Sequence, residues 1–236
     1  MIPWLDAPTA FPDPNHALTE PAGLLCAGGD LEPASIVAAY SRGIFPWFSD
    51  DQPILWWSPD PRMVLVPSEF KISKSLSKTV KMRKLETRID TAFAEVIAGC
   101  AAPREPGGGT WIVPEMQAAY IRLHQLGFAH SVETWGPGEN GGELLGGLYG
   151  IALGRIFFGE SMFTRATDAS KVALVALVDK LNRDGFELID CQQETRHLAS
   201  FGARPIPRSE FLQRLQELIN LKKSPSNWRV ENVQVK

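Results

Sequence analysis

The 236-residue chain is poor in cysteine, histidine and tyrosine, with three, four and three of each. Cys26, Cys100 and Cys191 are an odd number, far apart and without a CxxC pair, which excludes a disulfide scaffold and argues against a zinc site. The histidines are scattered and lack HExxH-type spacing, so no metal is expected. No uncharged apolar run approaches the ~18–20 residues that span a bilayer. The N-terminus lacks a basic segment followed by an apolar one, so no signal peptide is visible and a reduced, cytoplasmic setting is expected. No Walker A lysine loop or dinucleotide fingerprint occurs. What is present is ordinary globular composition, 44% hydrophobic and 22% charged, which excludes disorder and collagen-like repeats. At ~150 residues per domain, the length suits one large domain or a small-plus-large pair.

Residues 1–62 are rich in Pro, Gly and Trp, with one helix expected over Pro33–Ser41. Four prolines between Gly43 and Arg62 forbid long regular elements. A small N-terminal domain of loops and short strands is therefore expected over 1–62. From Met63 the pattern alternates α and β, giving a mixed α/β catalytic domain over 63–236. Helices are expected at Thr91–Ala102, Pro114–Leu126, Ala169–Arg183 and Ser209–Leu221, with Asp168 as N-cap and Gly185 as stop of the third. Strands are expected at His130–Trp135 and Phe186–Gln192, and a hairpin turning at Gly154 at Leu144–Ala152 and Arg155–Phe163. The strand–helix–strand run over 155–192 forms a βαβ crossover.

Net charge is −3, which by itself leans away from nucleic acid. The average conceals two opposed regions. Residues 71–88 hold seven basic residues and one acidic residue, a balance of +6, and the remainder carries −9. A helix over 71–81 would gather Lys71, Lys74, Lys78 and Lys81 on one face and Ile72, Leu76 and Val80 on the other. A one-signed face suits phosphate contact, with a solvated surface as the plain alternative.

Polar insertions in apolar strands mark the candidate chemistry. Strand alternation places Asp190 and Gln192 of LIDCQ on one face, with Ile189 and Cys191 on the other. Glu160 emerges alone from FFGESMF, either functional or a partner of Arg165. A Cys191–His197 nucleophile conflicts with Cys191 on the apolar face. Arg104–Gly109 nominally matches the phosphate loop of CoA-dependent acetyltransferases but follows a helix rather than a strand. Trp47, Trp56, Trp57 and Trp111 lie in Pro/Gly-rich segments, where flat rings suit either packing or stacking on a nucleobase.

Taken in order, GLLCAGGDL, AYSRGIFPWF, ILWWSPDPR, GTWI, GGLYGIALG, FFGESMF, DASK and LIDCQ resemble the leucyl/phenylalanyl-tRNA–protein transferases, a bacterial enzyme family. The resemblance covers about Gly23 to Arg208. It implies a GNAT-like (acetyltransferase-like) mixed-sheet catalytic domain behind the small N-terminal domain. It also implies transfer of Leu or Phe from aminoacyl-tRNA to proteins with N-terminal Lys or Arg, tagging them for N-end-rule degradation; an apolar pocket, which discriminates by only ~1–3 kcal/mol per methylene, extends the expected donors to Met. It implies neither cofactor nor metal, and the expected protein is a monomer without membrane contact. By motif position, Asp190 and Gln192 resemble the family's catalytic pair and Glu160 a further active-site residue. Trp47 and Trp111 resemble the walls around the tRNA 3′ adenosine. The aminoacyl pocket would comprise Leu148, Phe157, Leu174, Leu177 and Ile189. Lys74, Lys78, Lys81, Arg83 and Lys84 match the position that holds the tRNA body. Asp168 stands where the family word carries Asn, and Gln193–Arg196 is an uncommon continuation after DCQ. Two rival functions remain on the residues alone: a CoA-dependent N-acetyltransferase of the same fold and a non-enzymatic RNA-binding module.

Overall fold

A computed structural model describes residues 2–7, 9–82, 85–103, 110–138, 142–219, 228 and 232–233. The N-terminal segment is short-stranded, as its prolines require. It runs β1 (Trp4–Leu5), β2 (Leu24–Gly28), α1 (Pro33–Tyr40), β3 (Phe45–Pro46) and β4 (Leu55–Trp57). Pro33 opens α1, where its missing N–H costs nothing. These strands form a four-stranded sheet in the order β1-β2-β4-β3.

The rest of the chain builds a second sheet. Its elements are β5 (Arg62–Leu65), α2 (Lys74–Met82), β6 (Glu86–Ile89), α3 (Phe93–Ala101), α4 (Pro114–Gln125), β7 (Ala129–Gly136), β8 (Glu143–Leu153) and β9 (Ile156–Thr164). There follow α5 (Ala169–Arg183), β10 (Leu188–Gln192), α6 (Arg196–Ala199), β11 (Arg204–Ile206), α7 (Arg208–Ile219) and β12 (Asn232–Val233). Among the described residues the sheet has eight strands, ordered β11-β5-β10-β9-β8-β7-β6-β12. All pairs are antiparallel except β9–β10, the two strands joined by α5.

Both faces of this sheet are covered. Val64, Tyr149, Ile151 and Phe158 point into one core together with α1, α3, α4, α7 and the N-terminal sheet. Met63, Leu65, Leu148, Phe157 and Ile189 point into the other, beneath α5 and Leu76 of α2. The first core therefore runs without interruption from the small sheet to the large one.

Several sequence expectations need correction. The basic helix begins at Lys74, not Lys71, so Lys71 and exposed Ile72 precede it. Asp168 occupies the cap position of α5 in a left-handed conformation (φ 67°) without a side-chain cap bond. Its carboxylate instead meets Lys171 at 2.8 Å and the Thr79 hydroxyl at 3.4 Å. β5 was hidden because all four of its residues are buried between two prolines, which erases any alternation. Arg62 begins β5, so it belongs to the larger sheet rather than to the segment ending at 62. Arg83, Lys84, the Arg104–Gly109 loop and most of the tail after Leu221 lie outside the described residues. Trp228 of that tail packs on His130 (4.1 Å) and Phe157 (5.8 Å between ring centroids).

Candidate active site

Two register breaks, in β9 and in β10, create the site. In β8–β9, Tyr149 opposes Ser161 and Gly150 opposes Gly159, leaving Glu160 as the extra residue of a bulge. Only glycine fits at 150, because a Cβ there would lie 2.1 Å from the Phe158 carbonyl oxygen. In β10, Asp190 opposes Val64 and Gln192 opposes Met63, and Gln192 takes a left-handed conformation (φ 61°). The β9–β10 ladder ends at Phe158 and Asp190, although both strands continue. A cavity of about 910 Å³ lies there, lined from both sides of the sheet.

Leu148, Phe157, Leu174, Leu177 and Ile189 all line this cavity, so the five expected aminoacyl-pocket residues form one apolar wall. Leu174 and Leu177, one turn apart on α5, share a side as their spacing demands. Trp47 and Trp111 line it too, and both also border an adjoining hollow with Asp50, Asp51 and Trp57. Trp47 is 39% exposed and meets Trp57 edge-on at 5.4 Å.

Asp190 does not line the cavity. The simple alternation that put Asp190 beside Gln192 fails at the left-handed Gln192, so Ile189, Cys191 and Gln192 all face the cavity while Asp190 points behind it. There it is fully buried against equally buried Arg62, with Nε to Oδ1 at 2.8 Å and Nη2 to Oδ2 at 2.6 Å. The guanidinium lies between the rings of Phe45 and Phe211 and donates from Nη1 to the Gly43 carbonyl. Asp190 Oδ1 also accepts the Gln192 backbone N–H at 2.9 Å, which fixes the left-handed turn. No local pattern pairs Arg62 with Asp190, although a lone cation in an apolar strand is a signal that a buried anion faces it.

Gln192 in turn donates from Nε2 to Glu160 Oε1 at 3.1 Å. The Tyr40 hydroxyl lies 2.7 Å from Oε1, the Tyr120 hydroxyl 3.0 Å from Oε2, and the two hydroxyls 2.5 Å from each other. Burial pushes the Glu160 carboxyl up to about 7 despite these hydrogen bonds, and nearby Asp190 adds to the rise. Both phenols are also raised, chiefly by burial. Arg165 is not the partner of Glu160; it donates to the Leu144 carbonyl and lies over Phe163. Tyr149 also lines the cavity, and its buried hydroxyl has no hydrogen-bond partner among the described residues.

Cys191 and His197 both line the cavity, Cys191 together with Ile189, the residue whose face it was expected to share. Burial raises the thiol strongly, which opposes a thiolate nucleophile, and burial lowers His197. Away from the cavity, Asp90, His124 and His130 converge, a cluster that sequence spacing did not reveal. His124 Nδ1 faces the Ala129 carbonyl at 2.9 Å and His130 Nδ1 faces Asp90 at 2.8 Å. His130 Nε2 also faces the Gly127 carbonyl at 3.2 Å, so the cluster is engaged with itself and with the backbone. Lys74, Lys78 and Lys81 are exposed, with no ion pair to any described residue.

A mixed-sheet protein with an apolar cavity ending in an amide–carboxyl–tyrosine cluster is thus the class defined by fold and site. Residues 64–216 match the leucyl/phenylalanyl-tRNA protein transferase family, and residues 29–60 match its N-terminal domain. The chain is 59% identical over 231 residues to the leucyl/phenylalanyl-tRNA–protein transferase of Aromatoleum aromaticum, covering 98% of this chain and 96% of that one. It is 57% identical to the enzyme of that name from Nitrosospira multiformis, with full coverage of both. The chain belongs to the leucyl/phenylalanyl-tRNA protein transferase family. Among solved structures, L-PGS from Bacillus licheniformis matches with a TM-score of 0.45 at 9% identity, over 84% of this chain and 71% of that one, too low a likeness to bear on the fold.

Proposed function

We propose that the protein transfers Leu or Phe, and with them Met, from aminoacyl-tRNA to the α-amine of proteins that begin with Lys or Arg. The observation that carries this reading is the cavity itself, apolar along Leu148, Phe157, Leu174, Leu177 and Ile189 and polar where Glu160 and Gln192 meet. A Leu, Phe or Met side chain suits this apolar wall, and such a wall separates neighbouring side chains by only ~1–3 kcal/mol per methylene, which suits a small set of donors. Trp47 and Trp111 stack the 3′ adenosine, and the exposed lysines of α2, continued by Arg83 and Lys84, hold the tRNA body. The parallel β9–α5–β10 unit, whose ladder stops beside the cavity, supports an acetyltransferase-like (GNAT-like) catalytic domain preceded by a small N-terminal domain.

The chemistry is attack of an amine on an ester carbonyl. An α-amine has an unperturbed pKa of ~7.7–8.0, so a neutral fraction exists near pH 7 and positioning supplies most of the catalysis. Gln192 orients the incoming amine, and Asp190 acts on it from behind through the Gln192 backbone rather than by direct contact. The protein works as a cytoplasmic monomer without cofactor. Among the described residues no helix is long and apolar enough to cross a membrane.

Incubation with labelled Leu-tRNA and an Arg-initiated peptide tests this reading. Ribonuclease-sensitive leucyl-peptide is expected, and its absence overturns the proposal. Acetyl transfer from acetyl-CoA to the same peptide would favour the acetyltransferase alternative.

A further inference from the structure

Three oxygen–oxygen contacts join Glu160, Tyr120 and Tyr40, and each needs one proton. Tyr40 to Oε1 spans 2.7 Å, Tyr120 to Oε2 spans 3.0 Å, and the two phenols approach to 2.5 Å. With Glu160 ionised, the two phenols supply only two protons for the three contacts. One contact would then be a bare pair of oxygens, and if both phenols point at the carboxylate, it is the shortest. A third proton on the carboxyl group closes the ring. Gln192 Nε2 donates to Oε1, which marks that atom as the carbonyl oxygen and places the acid proton on Oε2. The sequence of donation is then Glu160 Oε2–H to Tyr120, Tyr120 to Tyr40, and Tyr40 to Glu160 Oε1.

We propose that Glu160 rests as the neutral carboxylic acid, closing this three-membered ring, and is the catalytic acid that protonates the departing ribose 3′ oxygen of the aminoacyl ester. The inference rests on the aminoacyl-transfer reading. Glu160 is the one carboxyl group among the described residues lining the cavity. In the step, the amine nitrogen bonds to the carbonyl carbon and the carbon–3′-oxygen bond breaks. The Glu160 proton leaves its hydrogen bond to Tyr120 for the departing oxygen, and the proton shed by the new ammonium centre returns to Glu160 and restores the ring. Nothing is oxidised or reduced.

The groups facing Glu160 agree with a neutral resting state. They are Tyr40 from α1, Tyr120 from α4, Tyr149 from β8, and Asp190, Cys191 and Gln192 from β10, with Cys100 of α3 behind Tyr149. The arginines around the site are spent elsewhere: Arg62 on Asp190 with two nitrogens, and Arg165, which lines the same cavity, on the Leu144 carbonyl and the Phe163 ring. No described cation is therefore directed at Glu160 to hold it ionised. Burial, the largest influence on this carboxyl, acts in the same direction.

The test is a carbon-13 NMR titration of the full chain labelled at glutamate carboxyl carbons, paired with the tRNA transfer assay. Glu160 and Glu133 are both expected to titrate near pH 7, because burial raises each. Glu160→Gln should remove one of these resonances and Glu133→Gln the other. An amide at 160 can still donate to Tyr120 and accept from Tyr40, so Glu160→Gln should keep the melting temperature. Its transfer rate should fall by about 10²–10⁴-fold, the usual range for a lost acid–base group. Should Glu160→Gln not fold, Tyr40→Phe opens the ring and should move the Glu160 resonance while leaving that of Glu133. A Glu160 midpoint in the ordinary range near ~4.3, or full transfer by Glu160→Gln, overturns the inference. A midpoint near 7 without any leucyl-peptide instead marks failure of the transferase reading, and the assigned proton step falls with it.

Discussion

Arg62 holds Asp190 by both carboxylate oxygens, with neither side chain exposed to solvent. Removing one partner leaves a buried charge alone, which typically costs about 3–5 kcal/mol. Asp190→Asn and Arg62→Met should each lower the urea midpoint accordingly, and the double variant should cost less than the two single losses together. Denaturant unfolding of the four proteins checks this. Additive losses would show that the two side chains do not act as a pair.

Gln192 pays backbone strain to present its amide. A left-handed non-glycine residue costs on the order of 1–3 kcal/mol and tends to mark a functional site. Gln192→Gly should therefore keep or raise the melting temperature while transfer is lost with the amide that reaches Glu160. A large fall in melting temperature would assign this residue a purely architectural role.

Tyr149 lines the cavity, but its hydroxyl is shut away from solvent and has no hydrogen-bond partner among the described residues. Its removal costs the fold nothing, because no protein hydrogen bond is lost. Tyr149→Phe should leave stability unchanged or slightly higher. KM for aminoacyl-tRNA should stay unchanged, because a hydroxyl shut away from solvent offers substrate no contact. A raised KM would show that the hydroxyl reaches substrate.

Charge reversal at Lys74, Lys78 and Lys81 should weaken tRNA binding and flatten the dependence of log K on log salt by about 1 for each lysine that touches a phosphate. The helix should survive, because Leu76 anchors its apolar side and all three lysines are exposed. Filter binding across a salt series measures the slope.

Stability should fall as pH rises from about 4.5 to 7. Glu133 is buried, and desolvation raises its carboxyl to about 7 in spite of hydrogen bonds from Ser131, Thr91 and the Ala92 N–H. Across that window the native state holds a proton that the unfolded chain has released, so deprotonation favours unfolding. Thermal melts at pH 5 and pH 8 should differ in that direction, and Glu133→Gln should reduce the difference, with Glu160, also raised to about 7, supplying the remainder. A melting temperature that rises over the window contradicts this assignment.

Much of the secondary structure was written in local pattern. α5 follows the expected bounds at Ala169 and Arg183, and the hairpin turns at Gly154 (φ 56°), because apolar spacing and glycine act over a few residues. The apolar wall was legible through motif likeness, and its five members converge. The back of the site was not legible. Arg62 meets Asp190 from 128 positions away, and Tyr40 and Tyr120 reach Glu160 from two helices, contacts that no local period encodes. Strand alternation gives the wrong facing for Asp190 because one left-handed residue, Gln192, resets the two-residue period.

The apolar core that passes from the short-stranded sheet into the larger one bears on how this architecture can change. Tyr40, Phe45 and Trp47 come from the small segment, yet they complete the proton ring, the cradle of Arg62 and the cavity rim. The two segments are therefore not interchangeable modules. Deleting residues 1–61 would strip cover from one side of the large sheet and break the site at three points, so substitutions in the two halves must compensate one another across that shared boundary.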